Sequence, residues 1–485
     1  MKEQLIPVVR EALSDLETPL STYRKLADRP NSFLLESVEG GERWGRYSII
    51  GLAAREQIRV QGGVLEHRRD AQVISRCTPA DPLQWIADYA AQIEAPDLPD
   101  LPRLNGGLVG YFGADTVRMI EPRLAGVSHQ DTVGAPDILL LRADELVVFD
   151  NLRGRLNFVI LCAPGSEAQA EARIDELMAQ LAVPLPAEAP WHFDEPEALA
   201  FESRFGEAGY KAGAERIREY ILAGDAMQVV LSQQLSAPFD GRPLDLYRAL
   251  RSLNPSPYLY YFDFGEGEER FQVVGSSPEI LVRLEEREVT LRPIAGTRPR
   301  GASAAQDQAY ERELLEDPKE LAEHLMLIDL GRNDVGRIAE PGSVQLTDRM
   351  VIERYSHVMH IVSNVSGTLR DGADAIDVLR ATFPAGTLSG APKIRALEII
   401  DELEPSKRGV YSGAVGYLAW NGSMDTAIAI RTAVVRNGRI FIQAGAGIVA
   451  DSVPDSEWQE TMNKAGAVLR AAGLAQARRH AEAQS

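Results

Sequence analysis

The chain has 485 residues, of which 45% are hydrophobic and 25% charged, and a formal net charge of −20. That length exceeds one typical domain and points to about two to four units of ordinary globular composition, while the negative charge argues against a general nucleic-acid binder. The only cysteines, Cys77 and Cys162, exclude a disulfide scaffold or a cysteine-rich metal site, and no apolar stretch reads as a signal peptide or membrane span, so the cytoplasm is the expected compartment.

In chain order, residues 46–52, 108–112 and 137–149 read as strands, and 166–182 has helical periodicity. Residues 182–200, AVPLPAEAPWHFDEPEALA, are rich in Pro, Ala and acid and read as a linker. It divides a first domain, 1–185, from a second, 200–475. The second opens with an amphipathic helix over 205–222, a strand over 227–234 and a hairpin-like region over 258–292. A helix over 308–331, strands within 342–369, helices within 374–402, strands within 412–447 and a last helix over 456–474 follow. Residues 476–485 are expected to be a frayed, flexible tail. Strands and helices do not alternate one by one, which favours an α+β fold with large mixed or antiparallel sheets over a doubly wound one.

Several side-chain patterns carry possible chemistry. Glu320, Glu323 and His324 share a helix face by their spacing, as do Glu457, Glu460 and Lys464. The plain reading of the first face is a solvated acidic surface. Two carboxylates from separate helices, completed by water and substrate oxygens, would suit Mg²⁺. Arg431 stands in an apolar alternating run with Ile428, Ile430 and Ala433. Placed in a strand, it needs an anionic ligand or a structural ion pair. Gly445, Ala446 and Gly447 allow close backbone approach and could offer N–H groups to a carboxylate, or be a simple turn. His357 and His360 lie three apart. On a strand they face opposite ways, so they do not share a metal.

Residues from about 200 to 475 resemble the chorismate-utilising enzyme family. The matching landmarks occur in family order: DAMQVVLSQ, GSSPE, PIAGTRPRG, ELAEHLMLIDLGRND, TFPAGTLSGAPK, YSGAVGY, AIRTA, GAGIVADS and EWQETMNK. The resemblance implies a sandwich core of large sheets with helices packed outside, and Mg²⁺-dependent attack on chorismate. It casts Glu323 and Glu460 as the Mg²⁺ carboxylates and Glu279 as general acid for the leaving hydroxyl. His360 and Thr387 join the catalytic group, His360 in the pyruvate-elimination half. Gly296, Thr297, Tyr411, Arg431, Gly445, Ala446, Gly447 and Lys464 are cast as substrate-binding.

Two positions sort the subfamilies that the resemblance brings in. Water-adding members carry a lysine base where this chain has Gln228, and aminodeoxychorismate-forming members carry a nucleophilic lysine where this chain has Ala295. Both differences imply direct ammonia addition and an anthranilate product, with aminodeoxychorismate formation as the alternative. A phenazine-type synthase usually carries a fused amidotransferase. A non-catalytic tryptophan-binding scaffold would lack one of the acidic site residues, and all are present. LLES at 34–37 and WGRYSIIG at 44–51 resemble one half of a tryptophan feedback site, and NPSPYLYY at 254–261 the other. Ser37, Pro257, Tyr258 and Leu259 would hold the inhibitor. Neither cysteine fits an amidotransferase elbow, so ammonia is expected from a separate glutamine amidotransferase subunit.

Overall fold

Several strands are buried at every position, among them Gly107–Phe112, Ile138–Ala143 and Phe271–Ser277. Such strands need cover on both faces. The computed structural model describes residues 2–37, 46–98, 101–127, 129–188, 191, 199–355 and 358–484. It meets that need with two twelve-stranded sheets and helices outside them. Neighbouring strands in both sheets are antiparallel.

The period-two alternation of strands decides which side chains face which layer. Phe33, Tyr260, Phe262 and Phe264 of one sheet meet Val109, Tyr111, Leu139 and Leu141 of the other in a shared core. The rings of Tyr111 and Phe264 meet edge to face across this layer, their centroids 5.7 Å apart. The alternate residues Leu34, Tyr261 and Val274 face outward, under Pro19–Leu26, Glu167–Leu181, Pro243–Leu253 and the last helix. On the other side Leu108, Phe112 and Leu140 are covered by Pro82–Ala90, Glu207–Leu222, Ala375–Thr382 and Lys393–Leu403. The fold is therefore an α+β sandwich with its helices outside.

Gly275 shows how tightly these strands pack. A Cβ there would lie 2.2 Å from the ring of Tyr260, its cross-strand partner, so only hydrogen fits under the ring.

The expected division at 182–200 does not separate the sheets. Gly107–Phe112 pairs with Ala414–Ala419, and Ser32–Glu36 pairs with Tyr258–Phe264, so both sheets draw on both halves of the chain. Glu188 and Trp191, from the expected linker, hold the last helix: Arg478 Nη2 donates to Glu188 at 2.8 Å and its guanidinium lies 4.8 Å from the Trp191 ring.

Four further expectations need correction. The apolar run 137–149 is two strands, Ile138–Ala143 and Glu145–Asp150, which lie in different sheets. The 258–292 region is likewise two hairpins, one in each sheet. The helix expected over 308–331 is broken at Asp317–Pro318 into Ala304–Glu316 and Pro318–Gly336, because proline disfavours the helical conformation of the residue before it and Asp317 caps the second helix. The expected flexible tail is helical: Pro454–Gln484 is one helix, anchored by Arg478. Trp44, Gly45 and His357 lie outside the described residues.

Candidate active site

The chain crosses between the sheets at two neighbouring places, and each crossover carries one candidate residue. Glu279 lies between Phe271–Ser277 and Ile280–Glu285, and Arg431 lies between Met424–Ile428 and Thr432–Arg436. The crossovers are tied together: Ile428 N–H donates to Glu279 O at 3.0 Å, and Ser276 N–H donates to Arg431 O at 3.2 Å. Arg431 is therefore not inside an alternating strand, as expected from sequence. It is a half-buried bend residue with φ +49°, a conformation that side-chain-bearing residues adopt at a cost.

Burial pushes the Glu279 carboxyl up to about 8, opposed by the Thr387 hydroxyl and by the charges of Lys464 and Arg431. The Thr387 hydroxyl sits on the short helix Gly386–Ser389, faces this carboxyl, and favours its charged form without reaching full hydrogen-bond geometry. A cavity of about 40 Å³ adjoins the carboxyl, lined mainly by apolar groups such as Leu281, Leu291, Leu327 and Ile428. That lining is the source of the desolvation.

Gly445, Ala446 and Gly447 form no turn. They lie in Arg439–Ile448, paired with Ser232, Leu231 and Val230. Its other strand neighbour, Thr432–Arg436, pairs only as far as Ile442, so among the described residues the second edge of this glycine stretch has no strand partner. Both glycines admit close neighbours. A Cβ on Gly445 would lie 2.9 Å from the Tyr411 hydroxyl, and one on Gly447 would lie 2.4 Å from Gln228 Nε2. Lys464 Nζ donates to Gly445 O at 3.0 Å and pairs with Glu460 at 2.7 Å.

Gly296 occupies a bulge in Ile294–Pro299, with φ +65°. The bulge turns its carbonyl to His360, whose Nδ1 lies 2.9 Å from Gly296 O and 3.1 Å from Thr297 Oγ1. Donation from Nδ1–H to the carbonyl leaves Nε2 as an acceptor. Burial pushes the His360 ring down, which favours this neutral form. Ala295 is buried in the adjacent position and offers only a methyl group.

Glu323 and Glu460, on the two acidic helices, are near enough for the charge of Glu460 to act on Glu323. Burial raises the Glu323 carboxyl, and the negative charges of Glu320 and Glu460 add to the effect, while Lys464 opposes it. The rest of the expected helix face diverges. Glu320 pairs with Arg298 at 3.2 Å, and His324 is buried against Ser363 Oγ at 2.7 Å, its ring pushed down to about 4. Among the described residues no group of three or more His, Cys, Asp or Glu side chains is placed to hold a metal ion. Glu323 and Glu460 are oxygen donors of the kind a hard divalent cation takes, and Glu460 is paired with Lys464.

The expected inhibitor residues also come together. Leu259 pairs with Glu36, so Ser37, the next residue, stands beside Pro257–Tyr258. The Tyr258 hydroxyl donates to Asp425 at 2.9 Å, and Asp425 accepts from Arg283 at 2.9 Å. Sequence reasoning missed this pair, along with the buried pairs Lys393–Asp334 and Arg408–Glu404. The one available signal was charge inside otherwise apolar segments.

Residues 31–470 match the family described as chorismate binding enzyme. The chain is 57% identical over 476 residues to anthranilate synthase component 1 of Pseudomonas aeruginosa, covering 97% of this chain and 96% of that protein. It is 48% identical over 479 residues to the protein of the same name from Aquifex aeolicus, covering 97% of this chain and 95% of that one. Its structure resembles that of anthranilate synthase component I from Streptococcus pneumoniae, with a TM-score of 0.78, 38% identity, and coverage of 94% of this chain and 99% of that one. The menaquinone-specific isochorismate synthase of Escherichia coli shares the fold, with a TM-score of 0.69, 21% identity, and coverage of 97% of this chain and 96% of that one.

Proposed function

The chain belongs to the chorismate binding enzyme family, an anthranilate synthase component I by its relatives, and from that premise we propose that it aminates chorismate with ammonia and eliminates pyruvate to give anthranilate. The observation that carries this reading is Glu279, a buried carboxyl that stays protonated to about pH 8 beside Arg431. A protonated carboxyl at that place can act as general acid for the departing ring hydroxyl. Ammonia adds to the ring, the hydroxyl leaves as water with the Glu279 proton, and loss of pyruvate together with a ring proton then makes the ring aromatic.

In this reading Arg431, Tyr411 and the open edge of Gly445–Gly447 take the enolpyruvyl carboxylate, with Gly296, Thr297 and Lys464 completing the binding surface. Neutral His360, held through Nδ1, presents Nε2 as a proton acceptor for the elimination half. Glu323 and Glu460 would hold Mg²⁺, which when bound supplies a Lewis acid and a template for the ring carboxylate. Support for an ammonia nucleophile is chemical: Gln228 is no base for water, and Ala295 has no nucleophilic atom. Ser37 and Pro257 to Leu259 would bind tryptophan as feedback inhibitor, a role supported by their adjacency. The ammonia source would be a separate amidotransferase component, as the name of the relatives suggests, and the compartment the cytoplasm. Among the described residues no helix is long and apolar enough to cross a membrane.

Glu279→Gln tests the acid. It should still bind chorismate, while turnover with ammonium falls about 10²- to 10⁴-fold, the usual contribution of a positioned general acid. Turnover within about twofold of the unaltered chain would remove Glu279 from that role.

A further inference from the structure

The edge of Gln228–Pro238 that faces away from Gly445–Gly447 is covered in pieces. Gly390–Ala391 pairs with Gln228 and Val229, and Glu202–Ser203 pairs with Leu235 and Ser236. Between them lies a gap at Val230 and Ser232, the residues that pair with Gly447 and Gly445. No strand fills this gap among the described residues; a buried ion pair does. Arg408 Nη2 donates to Val230 O at 2.8 Å, and Glu404 Oε1 accepts from Ser232 N–H at 2.8 Å and from its hydroxyl at 2.7 Å. Guanidinium and carboxylate thus stand where a neighbouring strand would put its N–H and C=O. Arg408 is 9% exposed and Glu404 5%.

The same guanidinium reaches the other parts of the site. Nη1 donates to Leu388 O at 2.6 Å, next to Thr387, and to Ser412 Oγ at 3.3 Å, next to Tyr411. The guanidinium carbon lies 5.7 Å from the centre of the Tyr411 ring. Nε and Nη2 complete a two-point pair with Glu404 at 2.9 and 2.7 Å.

We propose that Arg408, paired with Glu404, is a positioning residue for the chorismate reaction, fixing Tyr411, Thr387 and the strand behind Gly445–Gly447 relative to one another. A lysine keeps the charge but presents a point rather than a fork, so it cannot serve Leu388, Ser412, Val230 and both Glu404 oxygens together. Displacements of about 1 Å at such a site cost on the order of 10²-fold in rate. The proposal rests on the proposed function. Failure of the unaltered chain to convert chorismate would count against that function, whereas the variant tests below are read relative to an active unaltered chain.

The experiment measures kcat, the KM for chorismate and the melting temperature of Arg408→Lys and Glu404→Gln, with ammonium as nitrogen source. Each is also combined with Tyr411→Phe. Arg408→Lys is expected to lower kcat/KM for chorismate about 30- to 100-fold. Part of the loss should be shared with Tyr411→Phe, so the double variant loses less than the product of the single losses. Glu404→Gln keeps the shape and an acceptor for Ser232, and is expected to lose about 3- to 10-fold while remaining folded if Arg408→Lys does not. Folded variants with kcat and KM within about twofold of the unaltered chain, even with a reduced melting temperature, would make the pair merely structural and overturn the proposal. Losses fully independent of Tyr411→Phe would overturn it as well.

Discussion

Glu279 illustrates what one residue shows in sequence and what it does not. The GSSPE motif points to a carboxyl with an acid's role, but its chemistry comes from Leu281, Leu291, Leu327 and Ile428 around it, which no local pattern brings together. With its carboxyl raised from 4.5 to about 8, the folded chain holds a proton that the unfolded chain has released. The native state therefore loses stability as pH rises from about 4.5 through 8. Glu279→Gln removes this loss. Its melting temperature should exceed that of the unaltered chain at pH 9 by an amount equivalent to a few kcal/mol at most, with the gap closing toward pH 5. A pH-independent difference would show that Glu279 is not the titrating group. At saturating substrate and free ammonia, kcat should fall as pH rises through about 8, as the acid loses its proton. The motif resemblance named Arg431, but the apolar pattern misread its setting: its neighbours alternate as in a strand, while the crossover that bends it is a long-range event.

At the scale of elements, the misread runs share one cause. Residues 137–149, 258–292 and 412–447 each contain a passage from one sheet to the other, and such a passage interrupts neither apolar character nor strand propensity. The strands Ile6–Leu13, Glu56–Gln61 and Val64–Arg69 and the helices Pro19–Leu26 and Pro243–Leu253 were not read from the sequence, while Gly107–Phe112, Glu167–Leu181 and Glu207–Leu222 were legible. Which sheet each strand enters was not, because pairing is set by partners up to hundreds of residues away. These passages also carry Glu279 and Arg431. Tyr258 reaches across the sandwich to Asp425, and Arg283 joins them. Asp425 and Arg283 lie on the strands that lead to Arg431 and from Glu279. Tyr258→Phe leaves a buried carboxylate short of one donor, which should lower stability by about 1–3 kcal/mol. If Tyr258 serves in feedback, the variant should also need more tryptophan for half-inhibition. Unchanged stability in chemical denaturation would mean that water replaces the hydroxyl.

The whole molecule is less divisible than its linker suggested. The pairing of Gly107–Phe112 with Ala414–Ala419 and of Ser32–Glu36 with Tyr258–Phe264 leaves either half with unpaired central strands. A fragment of residues 1–185 should therefore lack cooperative thermal unfolding and should expose apolar surface to a hydrophobic dye. A sharp transition in that fragment would restore an independent first domain. The family was legible because its site motifs run through the second half of the chain in order. The scaffold beneath them, including the Arg408–Glu404 pair, was not, because its contacts join segments far apart in sequence.

The most direct test of the central claim is the product formed from chorismate. The chain, incubated with chorismate, Mg²⁺ and ammonium at alkaline pH, should release anthranilate and pyruvate in equal amounts, read by fluorescence and mass spectrometry. An amino-substituted chorismate without pyruvate, or hydroxylated product alone, would contradict the account.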